Sequence, residues 1–242
     1  MKRHAAQGLW LSLIWFCLIR VGVTAESDPL NQRSQRDSAG TTPVLQVLIY
    51  NYAPVSNGDL KVAKEVATSI YEDVGIRTEW LDCYSAEGEL NYNPDCGRLT
   101  PTTLVVRILP RSKAEGLKQP PSALGFAVLN DSGQLAHYAS AFYHRVEELG
   151  GKWTCSRPVV LGHIMAHEIG HLLLGLRSHS RAGLMSASWD RAELERINQR
   201  ALTFTFLQVK EIQARFLERH TSAEASRLGQ VAEKRQVGDA SN

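Results

Sequence analysis

VVLGHIMAHEIGHLLLGLRSHSRAGLM, residues 159–185, holds the pattern from which the rest of the chain can be read. Its first part, 159–174, reads as a helix, with Ser156 placed to cap it and Pro158 tolerated in its first turn. His167 and His171 lie four residues apart on that helix. Both imidazoles therefore project from one face and can reach a single ion at about 2.0–2.1 Å. Glu168 is one position on from His167. Its carboxylate can sit beside such an ion without binding it, next to water, as the general base of the H-E-x-x-H pattern. Gly170 leaves room on the helix, and Leu172, Leu173 and Leu174 bury its far side.

A catalytic zinc needs a third protein ligand and one open position for water. His163 shares the helix face, but its Cα lies about 12 Å along the axis from that of His171, too far for all three to meet on one tetrahedral ion. It reads as a packing or supporting histidine. A downstream acid, Glu193 or Glu195, is one solution for the third ligand. His179 is the other, because Gly175 can turn the chain out of the helix through a left-handed conformation and bring His179 back. His179 is the favoured third ligand, with Glu193 and Glu195 as rivals.

His167-Glu168-Ile169-Gly170-His171, Gly175, His179-Ser180 and Met185 together resemble the metzincin metallopeptidases, the matrixin-like members most. Their pattern is H-E-x-x-H-x-x-G-x-x-H followed by a methionine turn. Here one extra residue precedes the glycine and one precedes the last histidine. The strict third-ligand position thus falls on Arg177, which cannot bind zinc. The resemblance implies an α+β, zincin-like fold: a twisted, mixed five-stranded sheet with an antiparallel edge strand, packed on an active-site helix and C-terminal helices. It makes Met185 the residue of the methionine turn, an apolar floor under the metal. It also makes Leu124, Gly125, Phe126, Ala127, Val128 and Leu129 the antiparallel edge beside the cleft, with which an extended peptide can pair through main-chain hydrogen bonds. Residues 26–42 contain no cysteine, so latency through a propeptide thiolate is not expected.

The remaining elements fall in an order consistent with that fold. Residues 44–50, 76–81, 104–109, 124–129 and 138–146 read as strands by their aliphatic and β-branched content. Leu60, Ala63, Val66, Ala67, Ile70 and Val74 mark one face of a helix over 59–74, which Gly75 ends. Residues 191–200 and 206–219 read as two more helices, with Phe204, Phe206 and Phe216 as packing residues. Asn130-Asp131-Ser132-Gly133 is a turn cluster and also fits a glycosylation acceptor. One catalytic domain is expected over 43–219, after a flexible lead-in at 26–42 and before an unanchored, disordered tail at 220–242.

The chain has 242 residues, enough for one good-sized domain, with 27 Lys and Arg against 25 Asp and Glu. Three of the bases, Lys2, Arg3 and Arg20, stand in 1–25, which carries no acid, so the remainder is close to neutral. That balance gives no electrostatic case for nucleic acid or for an anionic membrane. Residues 1–25 read as a secretory signal, with a basic front, an apolar run over 8–19 and Val23-Thr24-Ala25 before a cut. The run would rise about 18 Å as a helix, short of a membrane core of about 30 Å. In an oxidising compartment Cys83 and Cys96 are the natural disulfide pair, with Cys155 either a buried thiol or the alternative partner of one of them.

The expected protein is a secreted or periplasmic monomer holding one Zn²⁺ and acting on a peptide or protein substrate, without a stable membrane anchor. Zinc-activated water would hydrolyse the peptide bond, and Glu168 would take the water proton and pass it to the leaving amine. Tyr138 and Tyr143 are candidate oxyanion stabilisers by chemistry alone. The rivals are a zincin with Glu193 or Glu195 as third ligand, and a zinc-stabilised binding module with little activity.

Overall fold

The computed structural model describes residues 43–85, 93–129, 136–153, 155–175 and 178–239. The expected signal at 1–25, the lead-in at 26–42 and the turn at 130–133 lie outside the described residues, as do Leu176 and Arg177.

Five strands form one mixed sheet: β1 (Val44–Asn51), β2 (Arg77–Ser85), β3 (Thr103–Leu109), β4 (Gly125–Ala127) and β5 (Tyr138–Phe142), in the spatial order β2-β1-β3-β5-β4. β1 runs parallel to β2 and β3, and β3 parallel to β5. β4 alone is antiparallel, on the edge beside β5, with Phe126 opposite Ser140. Its pairing continues past the strand at both ends, since Phe142 N–H donates to Leu124 O and Val128 N–H to Tyr138 O. The α+β class, the mixed five-stranded sheet and the antiparallel edge expected from sequence are therefore present.

Six α-helices surround the sheet among the described residues: α1 (Asn57–Asp73), α2 (Arg111–Ala114), α3 (Tyr143–Trp153), α4 (Arg157–Leu174), α5 (Arg191–Asn198) and α6 (Phe206–Asp239). α1 buries the expected face, with Leu60, Ala63, Val66, Ala67 and Ile70 all inside, and Ser56 caps it by accepting from Asp59 N–H. α4 packs against α1 at Gly162, where a Cβ would lie 2.6 Å from Ala63 O and 2.7 Å from Val66 Cβ. The Tyr71 hydroxyl donates to Ala166 O across the same seam.

Four sequence expectations are corrected. The strand expected over 138–146 stops at Phe142. Residues from Tyr143 on are helical, because Tyr143 and Val146 are buried and Leu149 packs on the core at helical spacing. Ser156 stands at the N-cap of α4 but makes no side-chain cap bond. Phe206 is 73% exposed, so it is not a packing residue, whereas Phe204 and Phe216 are buried. α6 runs on to Asp239 instead of ending at Arg219. Its Ala, Glu, Arg and Leu residues favour helix without needing a core to pack on.

α6 is bolted to the domain near its middle. Arg219 is buried and donates to the carbonyls of Leu172 at the end of α4, Ala136 and Pro101, at 2.7, 3.0 and 3.2 Å. Burial lowers its pKa to about 10, still well above neutrality. Gln213 adds a bond to Val74 O after α1.

Cys83 and Cys96 form the expected disulfide, tying the end of β2 to a short 3₁₀ turn, Pro94–Gly97. Closing a loop of that size contributes on the order of 3 kcal/mol. Such a bond is consistent with an extracellular location. Cys155 lies outside it, buried, with its sulfur 3.8 Å from Leu194 O. No helix among the described residues is long and apolar enough to cross a membrane.

Candidate metal centre

Almost every residue of α4 from Val159 to Leu174 is buried, so its polar side chains stand against the core and need partners there. His167 finds one at Leu184 O, 2.7 Å from its Nδ1. A carbonyl can only accept, so Nδ1 carries the proton and Nε2 presents a lone pair. The Leu184 carbonyl is fixed in turn by Trp189 Nε1, which donates to it, and the indole ring meets the His167 ring edge-on.

His171 follows one turn later, its Nδ1 2.6 Å from Ser178 Oγ and its Nε2 3.1 Å from that of His167. Gly175, with φ +77°, takes the chain out of the helix as expected, its N–H donating to His171 O. The chain then brings His179 back. The His179 ring centroid lies 4.6 Å from that of His171 and 5.5 Å from that of His167. One nitrogen from each ring lies within 4.8 Å of the other two, so the three could hold a metal ion. His167 is buried, His171 partly so and His179 exposed, which opens the cluster to solvent on one side.

The donor chemistry fits a cation. With its Nδ1 protonated, His167 turns an Nε2 lone pair toward His171 Nε2 at 3.1 Å, and a positive ion shared between the two nitrogens would take a lone pair from each, with Ser178 Oγ then accepting from His171 Nδ1. Tetrahedral coordination at 2.0–2.1 Å places ligand nitrogens about 3.3 Å apart. Burial lowers the pKa of His167 to about 4 and of His171 to about 3, so both are neutral and ligand-ready at physiological pH.

Glu168 shares the cleft. It is 2% exposed, its Oε2 has no hydrogen-bond partner, and burial raises its pKa to about 8. Its Oε1 lies against β4. A Cβ on Gly125 would come within 2.7 Å of it and run into Ser140 O, so only glycine allows the edge strand this close to the carboxylate. The cleft is about 250 Å³ in volume. Leu124, Gly125, Phe126, Ala127 and Leu129 form one wall, with the three histidines and Glu168 opposite. Val128 is 48% exposed on the edge.

Met185 is fully buried beneath α4, where a Cβ on Gly170 would lie 2.6 Å from its sulfur and 2.9 Å from Phe204. It sits in a tight loop closed by Ser180 N–H donating to Met185 O and turned by Gly183 at φ +82°.

The structure leaves the other named residues outside the cluster. His163 is buried, its Nδ1 2.8 Å from Val159 O, and packs as expected. Glu193 closes a capping box with Asp190 at the start of α5, and Glu195 pairs with Arg191. Tyr138 and Tyr143 do not line the cleft. Ser178, Leu184, Trp189 and Gln208, which surround the histidines, were not expected from sequence. Only Gln208 carried a signal, since Thr205-x-x-Gln208 fits a capping box before an apolar run. No protein-family model and no curated protein matches the chain.

Proposed function

We propose that the chain is a secreted zinc-dependent endopeptidase of the metzincin kind. One observation carries the reading: three imidazoles converge beside a buried, unpartnered glutamate carboxylate, at a cleft walled by an antiparallel edge strand. The buried methionine beneath the active-site helix and the order of the sheet support the family resemblance. The disulfide supports secretion.

His167, His171 and His179 would hold the ion. A bound zinc supplies Lewis acidity, which makes water a better acid and a carbonyl a better electrophile at neutral pH. The residues of the chain do the rest. β4 offers the main-chain groups of an edge strand, so an extended peptide can lie across the cleft in antiparallel register. Glu168 accepts the proton of the attacking water and returns it to the leaving amine nitrogen. Its raised pKa belongs to a carboxylate without a neighbouring cation, and a positive charge nearby favours the ionised form that accepts a proton. Leu184 O fixes the Nδ1–H tautomer of His167, and Ser178 Oγ orients the His171 ring and would accept from its Nδ1 when Nε2 serves as a ligand.

The purified chain is expected to contain one zinc per molecule and to cleave an unstructured protein such as reduced casein. A chelator should abolish cleavage, and added zinc should restore it. Zinc-loaded protein that leaves such substrates intact would contradict the enzymatic reading while sparing the metal site.

A further inference from the structure

The connection from Gly175 to His179 is longer than a strict metzincin spacing allows, so the ligand it carries needs an external support. The structure provides one from the far end of the domain. Gln208 lies in the first turn of α6, and its Oε1 accepts from Thr205 N–H at 3.0 Å. The Gln208 N–H lies 3.4 Å from Thr205 Oγ1, which completes a reciprocal cap. Because a backbone N–H can only donate, Oε1 must face Thr205 and Nε2 must face the other way. There Nε2 donates to Ser180 Oγ at 3.1 Å and, more weakly, to Ser178 O at 3.5 Å. These two residues flank His179, and Ser178 is also the partner of His171 Nδ1. α6 is in turn fixed by Arg219 on the end of α4 and by Gln213 on Val74 O, so the brace is attached to a rigid element.

We propose that Gln208 is a positioning residue for the metal site, holding the loop that presents His179 and the Ser178 hydroxyl that orients His171. The proposal rests on the reading of His167, His171 and His179 as one ligand set. The same amide that starts α6 thereby sets the third ligand, coupling the C-terminal helix to metal affinity.

Gln208→Glu separates the two roles of the side chain. Glutamate keeps an oxygen for Thr205 N–H, so the cap survives, but it has no donor for Ser180 or Ser178. The full chain should melt within a few degrees of the parent in the metal-free state. Its zinc dissociation constant, measured by competition with a chromophoric chelator, should rise about 10- to 100-fold, as for loss of an outer-shell partner. The cobalt-substituted variant should show a weakened or shifted visible band, reporting altered coordination independently of any activity. Ser180→Ala, which leaves the cap of α6 untouched, should move affinity in the same direction by less. Gln208→Glu that binds zinc as tightly as the parent, with an unchanged cobalt spectrum, would overturn the brace while leaving the ligand set intact. A parent chain that takes up no zinc would overturn the ligand set and the brace with it.

Discussion

Glu168→Gln is expected to bind zinc as the parent does and to cleave an unstructured protein about 10²- to 10⁴-fold more slowly, the range supplied by a positioned general base. The amide matches the carboxylate in size, so the narrow approach to Gly125 is preserved. What disappears is the ability to take a proton from water. The same substitution should stabilise the metal-free chain at alkaline pH. Burial raises the Glu168 pKa from 4.5 to about 8, so the fold holds the protonated acid more tightly than the unfolded chain does. Stability from that neutral acid is present at low pH and is lost as pH rises from 4.5 toward 8. The glutamine variant escapes this loss. It should therefore exceed the parent by a few kcal/mol at pH 8 and match it near pH 4. Melting curves of the chelated proteins across that range test the stability claim. Undiminished proteolysis by the variant would remove Glu168 from the mechanism.

His179→Ala is expected to weaken zinc binding by more than about 10²-fold, beyond the effect of losing an outer-shell partner. It removes one of three nitrogens drawn together within 4.8 Å and leaves only two histidines to hold the ion. Glu193→Ala and Glu195→Ala provide the contrast. The Glu193 side chain accepts from Asp190 N–H in the cap of α5, so its loss should lower stability by ~1 kcal/mol with zinc affinity unchanged. Glu195 forms an exposed pair with Arg191, and its loss should change neither by much. Zinc competition titrations of the three variants decide between an imidazole and an acid as third ligand. A Glu193→Ala chain that loses zinc while His179→Ala keeps it would reverse the assignment.

The parts of the fold legible in the sequence are those set by local periodicity and by residue chemistry. α1 shows its buried face at regular spacing, and the histidines of α4 declare their shared face by a separation of four. Gly175 marked the turn that returns His179. The parts that were not legible depend on contacts between distant segments. The change from β5 to α3 at Tyr143 has no breaker residue; tertiary packing of Tyr143 and Val146 decides it. The support of the site escaped for the same reason. Leu184 acts through a backbone carbonyl, which has no sequence signature, and Gln208 reaches Ser178 across 30 residues. The exposure of Phe206 likewise follows from how α6 lies on the domain, not from its apolar character.

Zinc K-edge X-ray absorption on the purified full chain tests the metal site most directly. Three histidine scattering patterns with nitrogen at about 2.0–2.1 Å, plus one light-atom neighbour from solvent, are expected. A sulfur neighbour, fewer than three imidazoles, or a chain that retains no zinc would contradict the three-histidine centre.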